Sequence, residues 1–199
     1  YTLSAAPVAR CVVAAMTKNS CGTGTEVLYT IGINQVITID TAAPAGPRTY
    51  GTTFQVAAHS TSGQPVTVTA GGGCSSSGTT NGPGSPATIT MTSGTTPCSL
   101  TYSRAAYAQY NPAPNVGPST TTAQKANQTV NPPPAPPASA EMGAIFSVTA
   151  TATSSLPVTA TGSGSCSGSG VVPTNITMTS GAGTCTVTYI QGGDANYNA

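Results

Sequence analysis

The chain contains the same stretch twice, and that repetition limits its fold more than any single motif. Asn34-Gln35 recurs as Asn127-Gln128, 51–56 (GTTFQV) as 143–148 (GAIFSV), and 62–67 (SGQPVT) as 154–159 (SSLPVT), at offsets of 93, 92 and 92 residues. Further along, 89–94 (ITMTSG) recurs as 176–181, and Cys98, Tyr102, Tyr110 and Asn111 recur as Cys185, Tyr189, Tyr197 and Asn198, all at an offset of 87. The drop from 92 to 87 places five extra residues between Cys74 and Ile89, within SSSGTTNGPGSPAT, a run of turn-forming residues that reads as a loop. Self-similarity of this kind predicts two copies of one small module.

Inside each copy the apolar period is two. Phe54, Val56 and Ala58 alternate with polar or small neighbours, as do Val66 and Val68, Ile89 and Met91, and Cys98, Leu100 and Tyr102. Phe146, Val148 and Ala150, then Ile176 and Met178, then Cys185, Val187 and Tyr189 do the same in the second copy. Such alternation over short runs, separated by Gly, Pro and Ser, predicts an all-β chain of half-buried antiparallel strands, each copy a small β-sandwich. Threonine fills the polar phase, because its β-branch favours extended backbone and its hydroxyl faces water.

A module of about 75 residues buries only about 60% of its unfolded surface, so its core is marginal. The six cysteines fall as Cys11 and Cys21, Cys74 and Cys98, and Cys166 and Cys185, one close pair per segment. Fifteen connectivities are open to six cysteines, and the recurrence of two per repeat favours local pairing. A bridge closing a loop of roughly 20 residues contributes about 3 kcal/mol in the entropic model. With no CxxC pair and His59 as the one histidine, zinc competes poorly, and an oxidising, extracytoplasmic setting is expected.

Charge narrows the partners. Only 5% of the 199 residues are charged and the net charge is +1, so no basic surface stands ready for nucleic acid or an anionic membrane. A mean hydropathy of +0.03 with so little charge is not the signature of disorder. The longest apolar candidate, 11–16 (CVVAAM), is far shorter than the roughly 20 residues of a membrane span. The chain opens at Tyr1 without an initiating Met or a signal-like segment, so any signal peptide is expected to have been removed already. Near-zero net charge leaves nothing to repel one copy from the next, which implies either a coat of sugars or an assembling protein.

Taken together, NQ, then YG or MG before TF or IF, then SGQPVT or SSLPVT, Cys, ITMTSG, Cys and a terminal GDANYNA resemble the bacterial immunoglobulin-like repeats that occur in tandem in secreted, cell-surface and fibre proteins. The resemblance covers 34–111 and 127–199 and is strongest over 176–199. It departs in the first copy, where RAAYAQYN stands for the QGGDANYN of the second, and in the second, whose opening strand has become NQTVNPPPAPP. It implies tandem immunoglobulin-like sandwiches acting as spacer or assembly modules, with no catalytic residue to carry over.

Outside the copies, 112–126 is rich in Pro, Ser and Thr and reads as an extended linker, with polyproline character resuming over 132–137. Residues 1–33 hold one cysteine pair, the apolar patch 12–16 and the start of a β-rich run, 27–39, which is too little for a sandwich of its own.

Sites for chemistry are sparse. Glu26, Asp40, Glu141 and Asp194 are scattered, and no G-x-S-x-G, G-x-G-x-x-G or P-loop is present, so neither catalysis nor a cofactor is expected. His59 falls on the outward phase of its strand and its counterpart is Thr151, which reads as a solvated histidine. Asp194-x-Asn196-x-Asn198 mimics half a calcium loop, but turn residues closing a strand explain it more simply, and no metal is expected. Lys18 and Lys125 lie outside the repeat strands, which argues against an isopeptide crosslink. Asn127 and Asn175 open N-x-T sequons and are candidate glycosylation sites.

The expected role is therefore structural: a secreted, non-enzymatic subunit that polymerises with copies of itself, with covalent glycans as additional partners. The prolines of NQTVNPPPAPP leave a sheet edge poorly covered, and a strand from 27–39 or 1–16 of another subunit would add to it. The competing readings are a string of self-contained beads in which 1–33 is the tail of a preceding repeat, and an adhesin or carbohydrate-binding module. For the last, a row of exposed Tyr would be the signature, since Trp is absent.

Overall fold

The computed structural model describes residues 11–16, 26–131 and 133–199, and among them every regular element is a β-strand. The first two strands are β1 (Cys11–Met16) and β2 (Glu26–Ile31). Then come β3 (Ile37–Thr41), β4 (Arg48–Thr49), β5 (Thr53–Ser60), β6 (Val66–Gly72), β7 (Cys74–Ser76) and β8 (Thr79–Thr80). The first copy ends with β9 (Ala87–Met91), β10 (Cys98–Arg104) and β11 (Ala113–Thr121). The second contains β12 (Ala123–Gln124), β13 (Val130–Asn131), β14 (Ile145–Val148), β15 (Thr151–Ala152) and β16 (Thr159–Gly164). It continues with β17 (Cys166–Ser167), β18 (Ser169–Val171), β19 (Thr174–Met178) and β20 (Cys185–Ile190).

The chain forms two compact units. Unit 1 comprises Tyr1–Pro47, Thr52–Met91 and Pro97–Thr122; unit 2 comprises Arg48–Gly51, Thr92–Thr96 and Ala123–Ala199. In unit 1 one sheet runs β3-β5-β9-β7 and the other β11-β10-β6-β8, four strands each. The period of two then decides what is buried: Phe54, Val56 and Ala58 from β5, Ile89 and Met91 from β9, Val66 and Val68 from β6, and Cys98, Leu100 and Tyr102 from β10 all turn inward. The disulfide Cys74–Cys98, with Cα atoms 5.1 Å apart, joins β7 of one sheet to β10 of the other. Unit 2 has the corresponding bridge, Cys166–Cys185, between β17 and β20. Two such bonds indicate a non-cytoplasmic setting. The third expected pair, Cys11 with Cys21, lies outside the described residues, as does Pro132.

Two segments differ from their sequence reading. Residues 112–126 are not a linker: 113–121 form β11, hydrogen-bonded along β10, and 123–124 form β12, parallel to β4. Composition misleads here because β11 is an edge strand, where a proline's missing N–H need not face the ladder. The strand also has two register shifts, between Leu100 and Tyr102 and between Tyr102 and Arg104. At the first, Gly117 adopts φ +117 and approaches so closely that a Cβ would sit 2.6 Å from the Leu100 carbonyl oxygen. The run 27–39 is likewise not one strand. It breaks between β2, which pairs with β1, and β3, whose Ile37, Thr38 and Ile39 pair with Ser60, His59 and Ala58 of β5. Ile37 to Ile39 are thus committed within their own unit and are not a free donor.

The ends of each unit are tied by a recurring polar clasp. In unit 1 the Gln35 side chain is 1% exposed. Its Nε2 donates to the carbonyls of Ala105 (2.9 Å) and Asn111 (2.6 Å), and its Oε1 accepts from the Ser62 hydroxyl (2.7 Å). Beside it, Asn111 Nδ2 donates to Asn34 Oδ1 at 3.0 Å, and in a parallel bridge to Tyr110 the Ile33 N–H donates to the Gln109 carbonyl while the Ile33 carbonyl accepts from the Asn111 N–H. Unit 2 reproduces this set: Gln128 Nε2 donates to the Asn198 carbonyl and to Gln191, Ser154 donates to Gln128 Oε1, and Asn198 Nδ2 donates to Asn127 Oδ1 at 2.8 Å. Both N–H groups and the carbonyl of each glutamine amide are engaged.

Two predictions follow from these contacts. Gln35→Ala leaves two backbone carbonyls and a hydroxyl without their partner, so unfolding in urea should show a loss of about 2–4 kcal/mol in unit 1, whereas Gln128→Ala, at a half-buried site, should cost less. Equal losses would contradict the role of burial. Tyr102 is fully buried with no partner for its hydroxyl, and burial raises its pKa above 10.0. Its contribution is complete below about pH 10 and is lost as pH climbs through the raised value, because the folded state then holds a proton that the unfolded state releases. Tyr102→Phe should therefore change stability at pH 7 by less than about 1 kcal/mol and lessen the destabilisation above pH 10.

Candidate functional site

The two units share a sequence pattern but differ along one seam. In unit 1 the seam is closed twice over. β3 covers the edge of β5 and β11 covers the edge of β10, and these two strands pack against one another. At its end Thr121, fully buried and opposite Cys98, donates its hydroxyl to the Pro44 carbonyl at 2.8 Å, tying the 42–47 loop over the core.

Neither cover is complete in unit 2. β13 matches the start of β3, with Val130 and Asn131 paired to Ala152 and Thr151, but prolines 132–134 stand where Ile39, Asp40 and Thr41 continue the ladder in unit 1. Proline cannot donate, and among the described residues the pairing comprises these two positions alone. Thr149 and Ala150, the counterparts of Ala57 and Ala58, are therefore without a ladder partner among the described residues, whereas β14 is a sheet edge just as 53–56 is left unpaired by β3 in unit 1. In the second sheet, β18-β16-β20, β20 pairs with β16 alone among the described residues, whereas its counterpart β10 pairs on both sides.

Packing follows the strands. Phe54, Met91, Cys98, Leu100 and Tyr102 are all buried in unit 1, and their counterparts Phe146, Met178, Cys185, Val187 and Tyr189 are only partly covered. Between Phe146, Met178, Cys185 and Val187 on one side and the 136–140 segment on the other lies a cleft of about 350 Å³, its wall completed by small and polar residues of 180–184, among them Ser180 and Thr184. The flanking strands are also greasier on their outer faces. Ile145 is 64% and Ile190 58% exposed, where unit 1 has Thr53 and Ser103. Exposed apolar side chains along an unpaired strand mark an interaction surface.

The other residues singled out in the sequence fall elsewhere. His59 is not merely solvated, since its Nδ1 lies 2.9 Å from both carboxylate oxygens of Asp40 on the neighbouring strand, a surface pair worth at most about 1 kcal/mol. Two oxygens of the calcium-like string have protein partners. Asp194 Oδ1 accepts from the N–H groups of Asn196 (2.7 Å) and Tyr197 (2.8 Å), and Asn196 Oδ1 accepts from that of Gly94 (3.0 Å), the geometry of a turn. No cluster of three His, Cys, Asp or Glu occurs among the described residues. The sequon residues Asn127 and Asn175 are both exposed, Asn127 in the clasp and Asn175 on β19 opposite Ser147. The described Tyr rings form no exposed row: Tyr102 is in the core, Tyr50 and Tyr197 meet edge to face at 5.4 Å, and Arg104 lies over Tyr107. Sequence reasoning anticipated that the prolines would cut a ladder short, which they do beside 149–150, but not the cleft.

The open edge has a direct readout. In dilute, unassembled protein, the amides of β20 that turn away from β16 should exchange with solvent far faster than those of β10, and equal protection would mean that the seam is closed.

Comparison of the chain with protein-family models, with curated proteins and with solved structures gave no match.

Proposed function

We propose that this protein is a structural subunit of an extracellular filament or surface stalk, built from tandem immunoglobulin-like sandwiches and assembling head to tail by adding a strand of one subunit to the next. The observation that carries this reading is the shortened cover of unit 2: after Val130 and Asn131 its prolines leave Thr149 and Ala150, among the described residues, without the ladder partners that Ile39 and Thr41 give Ala57 and Ala58 in unit 1, beside a cleft whose wall includes Phe146, Met178 and Val187. The immunoglobulin-like reading draws support from strand order. β3-β5-β9-β7 and β11-β10-β6 follow the A-B-E-D and G-F-C orders of that fold, with a disulfide joining the sheets. A contact of one surface with a different surface of the next copy does not close on itself and propagates as an open fibre. A net charge of +1 puts little repulsion in the way. Sugars on Asn127 or Asn175 would keep the remaining surface hydrated.

The purified chain should form fibres visible by electron microscopy, and deletion of residues 1–33 should leave both units folded, by circular dichroism, but monomeric. Fibres from the truncated chain would defeat strand donation from the N-terminal segment, and a monomeric full-length chain at every concentration would defeat the filament reading.

A further inference from the structure

Resting on the extracellular setting of that reading, we infer that Asn175, and not Asn127, carries an N-linked oligosaccharide, and that this sugar is the cover of Ile145. Comparing each sequon with the other copy separates the asparagine that the fold needs from the one it does not. Asn127 Oδ1 accepts from Asn198 Nδ2 at 2.8 Å, and Asn34, which no threonine follows two residues on, accepts from Asn111 in the same way at 3.0 Å. The clasp alone explains an asparagine at that place. Asn175 has no such task. Its counterpart is Thr88, so TIT at 88–90 becomes NIT at 175–177 by a single residue. Asparagine is disfavoured in strands, yet this one stands exposed on the middle strand of β14-β19-β17, its side chain without a hydrogen bond among the described residues.

The same face holds something to cover. Ser147 pairs with Asn175 and Ile145 with Thr177, the threonine of the sequon, so these four side chains share the outer face of the sheet. Ile145 is 64% exposed where unit 1 has Thr53. It lies diagonally across from Asn175, at the roughly 7–8 Å of such neighbours, which the first sugar ring spans. Ser167 flanks Thr177 on the other side, so one aliphatic side chain is surrounded by hydroxyls, a surface that suits a sugar with its mixture of C–H and O–H groups. Two departures from unit 1, threonine to asparagine and threonine to isoleucine, thus fall on adjacent strands of one face, and a sugar rooted at the first and lying on the second accounts for both. Attachment precedes pairing of β19, which is hydrogen-bonded on both sides in the finished sheet. Asn175 Nδ2 attacks C1 of the first N-acetylhexosamine of a lipid-pyrophosphate-linked oligosaccharide. The N–C1 bond forms, the C1–O bond to the pyrophosphate breaks, and Nδ2 gives up one proton.

The test secretes the full chain from a host whose secretory membrane supplies that donor, then treats it with peptide N-glycosidase in heavy-oxygen water, which turns each glycosylated asparagine into a labelled aspartate. Peptide mass mapping should find the label at position 175 and leave 127 as asparagine. Label at 127 equal to or above that at 175, or at neither, overturns the assignment. The cover is read by hydroxyl-radical labelling of Ile145 in the dispersed chain, which should be severalfold slower with the sugar than in Asn175→Thr, the residue that unit 1 carries at this place. Ile190, 58% exposed and on the other sheet, should label alike in both. The unsubstituted chain after enzymatic removal of the sugar gives the same comparison without a substitution, and equal labelling of Ile145 with and without the sugar overturns the cover. A chain glycosylated at 175 that never forms fibres defeats the filament reading and leaves the sugar in place, and fibres from a secreted chain bare at 175 do the reverse.

Discussion

A single glutamine amide at the mouth of each unit, buried in one and half-buried in the other, holds the beginning of the module to its end. The partners of Gln35 and Gln128 lie 26 or 27 residues away and again 63–76 residues away in the chain, on Ser62 and the 105–111 turn in one copy and on Ser154 and the 191–198 turn in the other. A primary amide suits the position because it donates twice and accepts, meeting two acceptors and a hydroxyl at once. An aliphatic residue of the same volume would strand those groups, and a carboxylate would place a charge against carbonyl oxygens. The disulfides secure the middle of each module and the clasp secures its rim.

The period of two in the sequence locates the inward residues of β5, β6, β9 and β10 without help from the structure, since strand sterics and water exclusion act on the same alternation. The pairings Cys74–Cys98 and Cys166–Cys185 lie where recurrence suggests, at the starts of β10 and β20. The linker reading of 112–126 fails because proline was weighed as a property of the segment, when what matters is which way each missing N–H would point. On an edge strand with two bulges, Pro114 and Pro118 are tolerated. The clasp was half legible. Asn34-Gln35 and Asn127-Gln128 are visible as markers of the repeat, but hydrogen bonds spanning most of a module have no local periodicity to betray them.

The difference between the units shows how little sequence is needed to open a sandwich. Three prolines at 132–134 in place of Ile39, Asp40 and Thr41 end a ladder, and the β5 counterpart then breaks into β14 and β15. Phe146 and Met178 keep their identity from Phe54 and Met91, yet their burial changes, which is a reminder that a core position is defined by its lid as much as by its side chain.

The parallel bridge between Ile33 and the 109–111 segment carries a mechanical meaning. Pulling the chain at both ends of that bridge draws two parallel segments past one another, so its backbone bonds and the Gln35 contacts bear load together rather than peeling one by one. If the rim gives way, the stretch between Cys74 and Cys98 stays closed by its disulfide, and about 80 Å of contour is withheld from extension at roughly 3.4 Å per residue. Each module is thus a shear joint at its rim and a length stop at its centre.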